Sequence, residues 1–330
     1  MSVSRITTTA ALGAVALLAL TGCSTVGAAE EGDAKAPAAA EGQQFPVTVT
    51  DMAGNEVTIE SADSVIVTDN RLFRLVADWG IELSAAPRAL MSSENPLATD
   101  EGIVDLGTHA EPDFEKVVEV DPDLIVNGYR YSGHAEDMQK AAPDAAFVDM
   151  TNEELSVDEY LVESVTLLGE IFGKQDEAKD LIDDFHAAVD EAQQAYDPQV
   201  TVMGLVTSAN EIRYSNPLDG RGSSIFFSLV GLIPALESEG SSNDKGDDIS
   251  IEAIAESNPD FLLVLDREAA FSDSESTPAL ELITSSTALA PVPAIENEAI
   301  YVMPADFYLT EDIVTYTTVL NDLAKEFAAL

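Results

Sequence analysis

Only one cysteine, Cys23, occurs in the 330 residues. That excludes an intramolecular disulfide, a cysteine-held iron–sulfur cluster and a cysteine-based zinc site. Histidine is almost as scarce. His109, His134 and His186 form no spaced pair, which disfavours a histidine-built metal-ion site. Basic residues number 15 against 61 acidic ones, a formal net charge of −46. A nucleic-acid partner is excluded, because phosphate binding needs a basic face. The chain has no HExxH, no Gly-x-Ser-x-Gly, no Gly-Lys-Ser/Thr phosphate loop and no Gly-x-Gly-x-x-Gly. No nucleophile or carboxylate pair stands out either, so the chain is not read as an enzyme.

What is present is apolar and patterned. Hydrophobic residues make up 46% of the chain, too many for a disordered acidic protein. The acidity reads as a solvated surface suited to high salt. Near the start, Arg5 precedes an apolar run over residues 10–20. The run is shorter than the ~20 residues that span a bilayer and has the length of a secretory h-region. Leu20-Thr21-Gly22-Cys23 resembles a bacterial lipobox, which implies cleavage before Cys23 and lipidation of its thiol. Residues 1–22 are therefore expected to be a signal peptide, and 23–45 a lipidated cysteine with an Ala-, Glu- and Gly-rich flexible tether.

The remainder alternates between strand and helix patterns, which predicts an α/β fold with mainly parallel sheets. A hairpin is expected over 47–59, turning at Ala53-Gly54-Asn55. Further strands are expected over 64–68, 83–86, 103–106, 124–127 and 146–149. Leu161, Val165, Leu168 and Phe172 form a helical stripe over 157–172. Leu181, Phe185, Ala188 and Ala192 form another over 176–196. Strand patterns then resume at 200–207, 212–215, 261–265 and 299–303, with helices over 224–230, 251–257 and 313–327. The reading is an N-terminal lobe over 46–156, an inter-lobe helical segment over 157–197 and a C-terminal lobe over 198–330. A helix of ~20 residues reaches ~30 Å, enough to join two lobes.

Two stretches repeat one design. Residues 114–130 read FEKVVEVDPDLIVNGYR and residues 251–267 read IEAIAESNPDFLLVLDR. Glu115 aligns with Glu252, Pro122-Asp123 with Pro259-Asp260, and Arg130 with Arg267. Each copy is a short helix, a Pro-Asp turn, an apolar strand and an arginine just past the strand end, where α/β sheets bind ligands. Arg221 sits in a turn-rich loop, residues 216–224, before a helix. That loop is expected to offer backbone N–H groups, a helix N-terminus and a guanidinium to an anion. Phe307 and Tyr308 also follow a strand. Phe307 suits the core, and Tyr308 suits hydrogen bonding or iron ligation. Glu115 and Glu252 each fall in a first helical turn, where they favour the helix dipole.

These features resemble the class III, helix-linked siderophore-binding lipoproteins of bacterial iron ABC importers, closest to the branch taking catecholate siderophores of the enterobactin and petrobactin type. The resemblance rests on residues 107–117 (GTHAEPDFEKV), 168–174 (LGEIFGK), 265–270 (LDREAA) and 307–309 (FYL). It implies two α/β lobes joined by one long helix, a monomer held on the extracytoplasmic face of the cell membrane by its lipid, and no cofactor. The ligand it implies is a ferric siderophore, and the partner an ABC permease. It places the cleft arginines at Arg130, Arg221 and Arg267, where they would neutralise a ferric tris-catecholate of charge about −3. It places the cleft tyrosine at Tyr308 and the permease-docking glutamates at Glu115 and Glu252. The branch's cleft histidine falls near Lys245, which would add positive charge instead; His134 is the alternative iron ligand. Haem and cobalamin are alternative ligands of the same fold, and a lipid-anchored hydrolase of anionic esters is a further alternative.

Overall fold

The computed structural model describes residues 43–238, 240–271 and 276–330. The expected signal segment, Cys23 and the tether up to residue 42 lie outside the described residues. The N-terminal half opens with β1 (Val47–Thr50) and β2 (Glu56–Ile59), the expected hairpin, with Val47 opposite Ile59. Seven strands follow: β3 (Val65–Val67), β4 (Ala85–Ala86), β5 (Val104–Asp105), β6 (Gly107–Thr108), β7 (Glu111–Pro112), β8 (Leu124–Asn127) and β9 (Ala146–Asp149). Five of them form a parallel sheet in the order β5-β4-β3-β8-β9. Helices α1 (Phe73–Asp78), α2 (Phe114–Val120) and α3 (Ala135–Ala141) alternate with these strands.

Two helices then lead out of the first sheet, α4 (Val157–Phe172) and α5 (Gln175–Ala195). Helix α4 starts on a capping box formed by Ser156 and Glu159, which satisfies two otherwise unpaired N–H groups. It stops at Gly173, whose φ of +69° favours glycine. The predicted stripe of Leu161, Val165, Leu168 and Phe172 is buried throughout. The connection is thus a helical pair, as the two stripes predicted, with α5 as its long helix. The glycine forces the break, and α5, with 21 residues, is ~30 Å long. The two helices pack tightly at Gly169, where a Cβ would lie 2.9 Å from the Ala178 Cβ and 3.1 Å from the Lys174 carbonyl oxygen. Gly169→Ala should therefore lower stability by about 1–3 kcal/mol through overpacking, despite alanine's higher helix propensity. Urea denaturation checks this; a stabilised variant would contradict the close approach.

The C-terminal half contains β10 (Thr201–Ser208), β11 (Glu211–Ser215), β12 (Ile233–Pro234), β13 (Phe261–Asp266) and β14 (Ile300–Val302). Its helices are α6 (Ser224–Phe226), α7 (Ile251–Ser257), α8 (Ala279–Thr284), α9 (Pro293–Glu296), α10 (Phe307–Thr310) and α11 (Ile313–Ala329). The sheet order is β11-β10-β13-β14, with β12 beside β10. Strands β10, β13 and β14 run parallel, and β11 returns antiparallel to β10. The helix expected over 224–230 is α only to Phe226. It then widens into a π-helical turn over Phe227–Gly231, which ends at Gly231 with φ +76°.

The sequence repeat is structural, and it reaches beyond the aligned residues. The offset relating residue 114 to residue 251 also relates the strand pairs: Val65 faces Leu124 in the first sheet, and Val202 faces Phe261 in the second. The Asp123 carboxylate accepts from Ser64 N at 2.9 Å, and Asp260 accepts from Thr201 N at 2.9 Å. Asp113 and Ser250 cap α2 and α7. Asp121 and Asn258 end those helices in the left-handed region, at φ 47° and 52°. Each Pro-Asp turn therefore anchors one helix and clamps the start of the neighbouring strand. That clamp aims the residues past the strand's far end in the same way in both halves.

One apolar core runs from Val49 of the hairpin through α4 and α5 to Phe327 of α11. The Phe327 ring lies 5.0 Å from Tyr196 and 5.1 Å from Phe261, pinning α11 beside the end of α5 and the start of β13. Rings of Phe226, Phe307 and Tyr316 stack 5.3–6.5 Å apart beneath α10, an arrangement worth ~0.5–1.5 kcal/mol per pair beyond area burial. Phe307 is core, as its apolar setting suggested. None of the described helices is long and apolar enough to cross a membrane.

Candidate functional site

Arg130 lies in the 3-10 turn over Tyr129–His134 that leaves β8, and Arg267 directly follows β13. Arg221 comes from the loop between β11 and α6. All three guanidiniums gather on one ring. Their Cζ atoms lie 4.8, 4.4 and 4.6 Å from the Tyr308 centroid for Arg130, Arg221 and Arg267, respectively. Two arginines come from the C-terminal half and one from the N-terminal half, so the repeat places its matched arginines at one point. Tyr308 is 3% exposed, and its face attracts the cations that cover it.

Tyr308 belongs to a segment that both halves share. Its carbonyl oxygen accepts from Arg130 Nη2 at 2.9 Å. The neighbouring Leu309 carbonyl accepts from Asn70 Nδ2 at 2.6 Å. Arg74 of α1 reaches Asp306 at 3.3 Å and the buried Asp312 at 2.9 Å, and Ser92 Oγ donates to Asp306 at 3.0 Å. Burial pushes the Asp312 carboxyl above its usual range despite the opposing Arg74 guanidinium and the Thr315 N–H. These bonds fix residues 306–312 against the first sheet, while α10 packs on the second-half core.

Further residues, absent from the sequence reading, complete the site. Asp69, fully buried after β3, binds Arg71 through two oxygens at 2.9 and 3.1 Å and accepts from Tyr160 OH at 2.6 Å. The Arg71 guanidinium lies 3.4 Å from the Tyr160 ring centroid and 4.0 Å from that of Tyr129. Tyr129 OH donates to Glu311 Oε2 at 2.9 Å and accepts from Arg221 Nη2 at 2.8 Å. Burial, then Glu311, raise the Tyr129 phenol far above its ordinary pKa, against three nearby arginines, so it stays a neutral donor. Tyr129 and Glu311 both have left-handed backbones, with φ 46° and 41°, a strain of about 1–3 kcal/mol each that the surrounding bonds must hold in place. A cavity of about 230 Å³ beside this array is lined in part by Arg71, Tyr129 and Tyr160.

Carboxylates already occupy two of the three expected arginines. Arg221 forms a two-bond pair with Glu311, its Nε at 3.0 Å from Oε1 and its Nη2 on Oε2. Arg267 binds Asp244 at 3.0 Å and Glu268 at 3.2 Å. Asp244 also accepts from Tyr308 OH at 2.8 Å. Burial acts to lower the Arg221 pKa, but Glu311, Tyr129 and Tyr308 together outweigh it and the guanidinium stays charged. Burial acts to raise Asp244, while Tyr308 and Arg267 together hold it below the usual carboxylate range. Arg130 has no carboxylate partner among the described residues, and its Nε is buried without a hydrogen bond.

Other expected residues sit differently. Four backbone N–H groups of the 216–224 loop are turned inward. Leu218 and Asp219 donate to Asn216 Oδ1 at 3.0 Å, Gly220 donates to the Asn216 carbonyl, and Ser224 donates to the Gly220 carbonyl. Asn216 folds the loop into its own turn, and α6 is only three residues long. The loop therefore brings Arg221 to the site, while those four N–H groups and the three-residue α6 offer no anion-binding helix N-terminus. Lys245 is exposed; the adjacent Asp244, of opposite charge, is the residue that faces Arg267. His134 Nε2 is bonded to the His109 carbonyl at 2.8 Å, with its ring edge-on to Phe114 and Tyr131. Burial, Arg130 and His134 hold the His109 imidazole below its ordinary pKa. Glu115 and Glu252 are exposed at matching positions in the first turns of α2 and α7. No group of three or more metal-ligating side chains occurs among the described residues.

A family model described as "Periplasmic binding protein" matches residues 65–307. The chain is 29% identical over 214 residues to the petrobactin-binding protein YclQ of Bacillus subtilis, covering 64% of this chain and 64% of that protein's length. It is 29% identical over 229 residues to the ferric-anguibactin-binding protein FatB of Vibrio anguillarum, covering 68% of this chain and 70% of that one. The crystal structure of YclQ matches with a TM-score of 0.73 at 20% identity, over 86% of this chain and 99% of YclQ. The catecholate-siderophore binding protein VctP of Vibrio cholerae matches with a TM-score of 0.72 at 22% identity, over 84% of this chain and 98% of VctP. At those identities the structures establish the fold, two α/β lobes with largely parallel sheets. On the family match across residues 65–307, this chain belongs to the periplasmic binding protein family.

Proposed function

We propose that this chain is the lipid-anchored substrate-binding protein of an iron–siderophore ABC importer. It binds an anionic ferric catecholate siderophore between its lobes and hands it to the permease. The observation that carries this reading is the convergence of Arg130, Arg221 and Arg267, from both halves, on Tyr308. Guanidiniums present planar, paired donors suited to the oxygens of a metal catecholate, and partial burial strengthens those bonds. The names of YclQ, FatB and VctP, all siderophore-binding proteins, support the same ligand class. The anchor rests on Leu20-Thr21-Gly22-Cys23. It would hold the protein on the extracytoplasmic face of the cell membrane as a monomer beside its permease.

Titrating the soluble chain, with Cys23 and the preceding residues removed, tests the ligand class. The ligands are a ferric catecholate, a ferric hydroxamate, ferric citrate, haem and cobalamin, followed by Trp79 and tyrosine fluorescence. Saturable binding of the ferric catecholate ahead of the others is expected. Preference for haem or cobalamin would replace the reading with one of the alternatives. Glu115 and Glu252 test the delivery step. Exposed and matched across the two lobes, they suit contact with a two-subunit permease. Glu115→Ala and Glu252→Ala should leave soluble binding unchanged and reduce uptake of ⁵⁵Fe-labelled siderophore in cells. An equal loss of soluble affinity would contradict a docking role.

A further inference from the structure

The cleft's charges balance one another. Four guanidiniums, those of Arg71, Arg130, Arg221 and Arg267, face four carboxylates, those of Asp69, Asp244, Glu268 and Glu311. The carboxylates differ in how firmly they are held. Asp69 and Glu311 have side chains 0% and 7% exposed, and each binds its arginine through two oxygens. Glu311 is further fixed by Tyr129 OH and by its left-handed backbone. Glu268 is held by Ser208 Oγ and Ala209 N, both at 3.1 Å. Asp244 alone is loose. Its side chain is 39% exposed, and it is bonded to Tyr308 OH and Arg267. It lies in a polar stretch that turns on Asn243 and Gly246, the latter with φ +75°.

We propose that Glu311 and Asp244 set the charge of the iron chelate that this cleft accepts, restricting it to ferric complexes of about one net negative charge. The inference rests on the siderophore reading above. Asp244 is an internal anion on Arg267 and Tyr308 that an entering catecholate oxygen displaces. Glu311 stays and permanently offsets Arg221. Once Asp244 leaves, the cleft carries a single uncompensated positive charge. A ferric ion held by two dianionic catecholates carries about −1 and meets that charge; one held by three carries about −3 and leaves two negative charges facing Glu311 and Glu268. At the effective dielectric of a half-buried site, each such charge weakens binding by about tenfold. The chain's overall charge of −46 adds to the same discrimination at low salt. The favoured ligand class is a siderophore with two catecholates, or with a catecholate and less charged donors.

The test compares ferric complexes of a synthetic bis-catecholamide and a tris-catecholamide built from the same catechol unit. Dissociation constants are measured for the soluble wild-type chain, Asp244→Asn and Glu311→Gln, at 0.1 and 1 M salt. The wild type should bind the bis-complex at least about tenfold tighter. Asp244→Asn should tighten both complexes by a similar factor of about tenfold, because either chelate must displace the Asp244 carboxylate. Glu311→Gln, which removes a charge that stays in the bound state, should narrow their ratio by about tenfold, and high salt should narrow it in the wild type. The wild-type preference and its salt dependence read the discrimination, and Asp244→Asn reads the displacement, so the test stands even if Glu311→Gln fails to fold. A wild type that prefers the tris-complex, an Asp244→Asn variant that tightens neither complex, or a Glu311→Gln variant that shifts both in parallel would overturn the charge filter and leave the siderophore reading standing. Binding of neither complex would overturn both.

Discussion

Replacing Arg130, Arg221 or Arg267 with alanine is expected to weaken binding of a ferric catecholate by about 1.5–3 kcal/mol each, the scale of a hydrogen bond to a charged group. The three variants are not equivalent. Arg130 has no carboxylate partner among the described residues and holds the Tyr308 carbonyl, so Arg130→Ala removes positive charge most directly. Arg267→Ala also frees Asp244 and Glu268, which leaves local negative charge and should cost more binding than stability. Arg221→Ala strands Glu311, 7% exposed, without its cation and should lower both. Titration of each variant, with urea unfolding beside it, separates the two effects. Wild-type affinity in all three would refute the cleft.

The largest expected loss of stability lies at Asp69. Its carboxylate is fully buried and serves two Arg71 nitrogens, the Arg71 backbone N–H and Tyr160 OH. Asp69→Ala leaves a guanidinium 15% exposed and a buried phenol without their acceptor. Removing one partner of such a pair costs about 3–5 kcal/mol. Asp69→Asn, which keeps an acceptor oxygen, should cost less. Because Arg71 supports Tyr129, and Tyr129 in turn holds Glu311, the loss should reach ligand affinity as well. Urea denaturation checks the magnitude; a change under about 1 kcal/mol would show that the pair is not structural.

Most of the fold could be read from the order of residues, and the reasons are local. Strand β8 and helices α4 and α7 have the bounds that alternation, Gly173 and the Pro-Asp turns predicted. Those signals act over a few residues, so a sequence carries them in full. The π-helical turn after Phe226 was not predictable, because the apolar spacing over 224–230 is equally that of an α-helix. Strand β4, two residues long, is set by its pairing with Ile66 rather than by its own composition.

The site was legible by halves. Arg130 and Arg267 followed from the repeat, and Arg71 could have been found by the same rule, since it lies just past β3. Asp244 and Glu311 could not: two carboxylates among 61 acidic residues carry no local mark, and only tertiary folding brings them onto Arg267 and Arg221. The Asn216 loop shows the converse. Its glycines and serine suggested free N–H groups, but one side-chain amide oxygen consumes two of them. Local composition states what a loop can donate, while the structure determines whether those donors face outward.

The most direct test of the account is a crystal structure of the soluble chain with a ferric bis-catecholate bound. The iron chelate should sit over Tyr308, with the guanidiniums of Arg130 and Arg267 within hydrogen-bond distance of catecholate oxygens. Asp244 should be turned away and Glu311 still paired with Arg221. A chelate bound elsewhere, with Asp244 still on Arg267 and Tyr308, would contradict it.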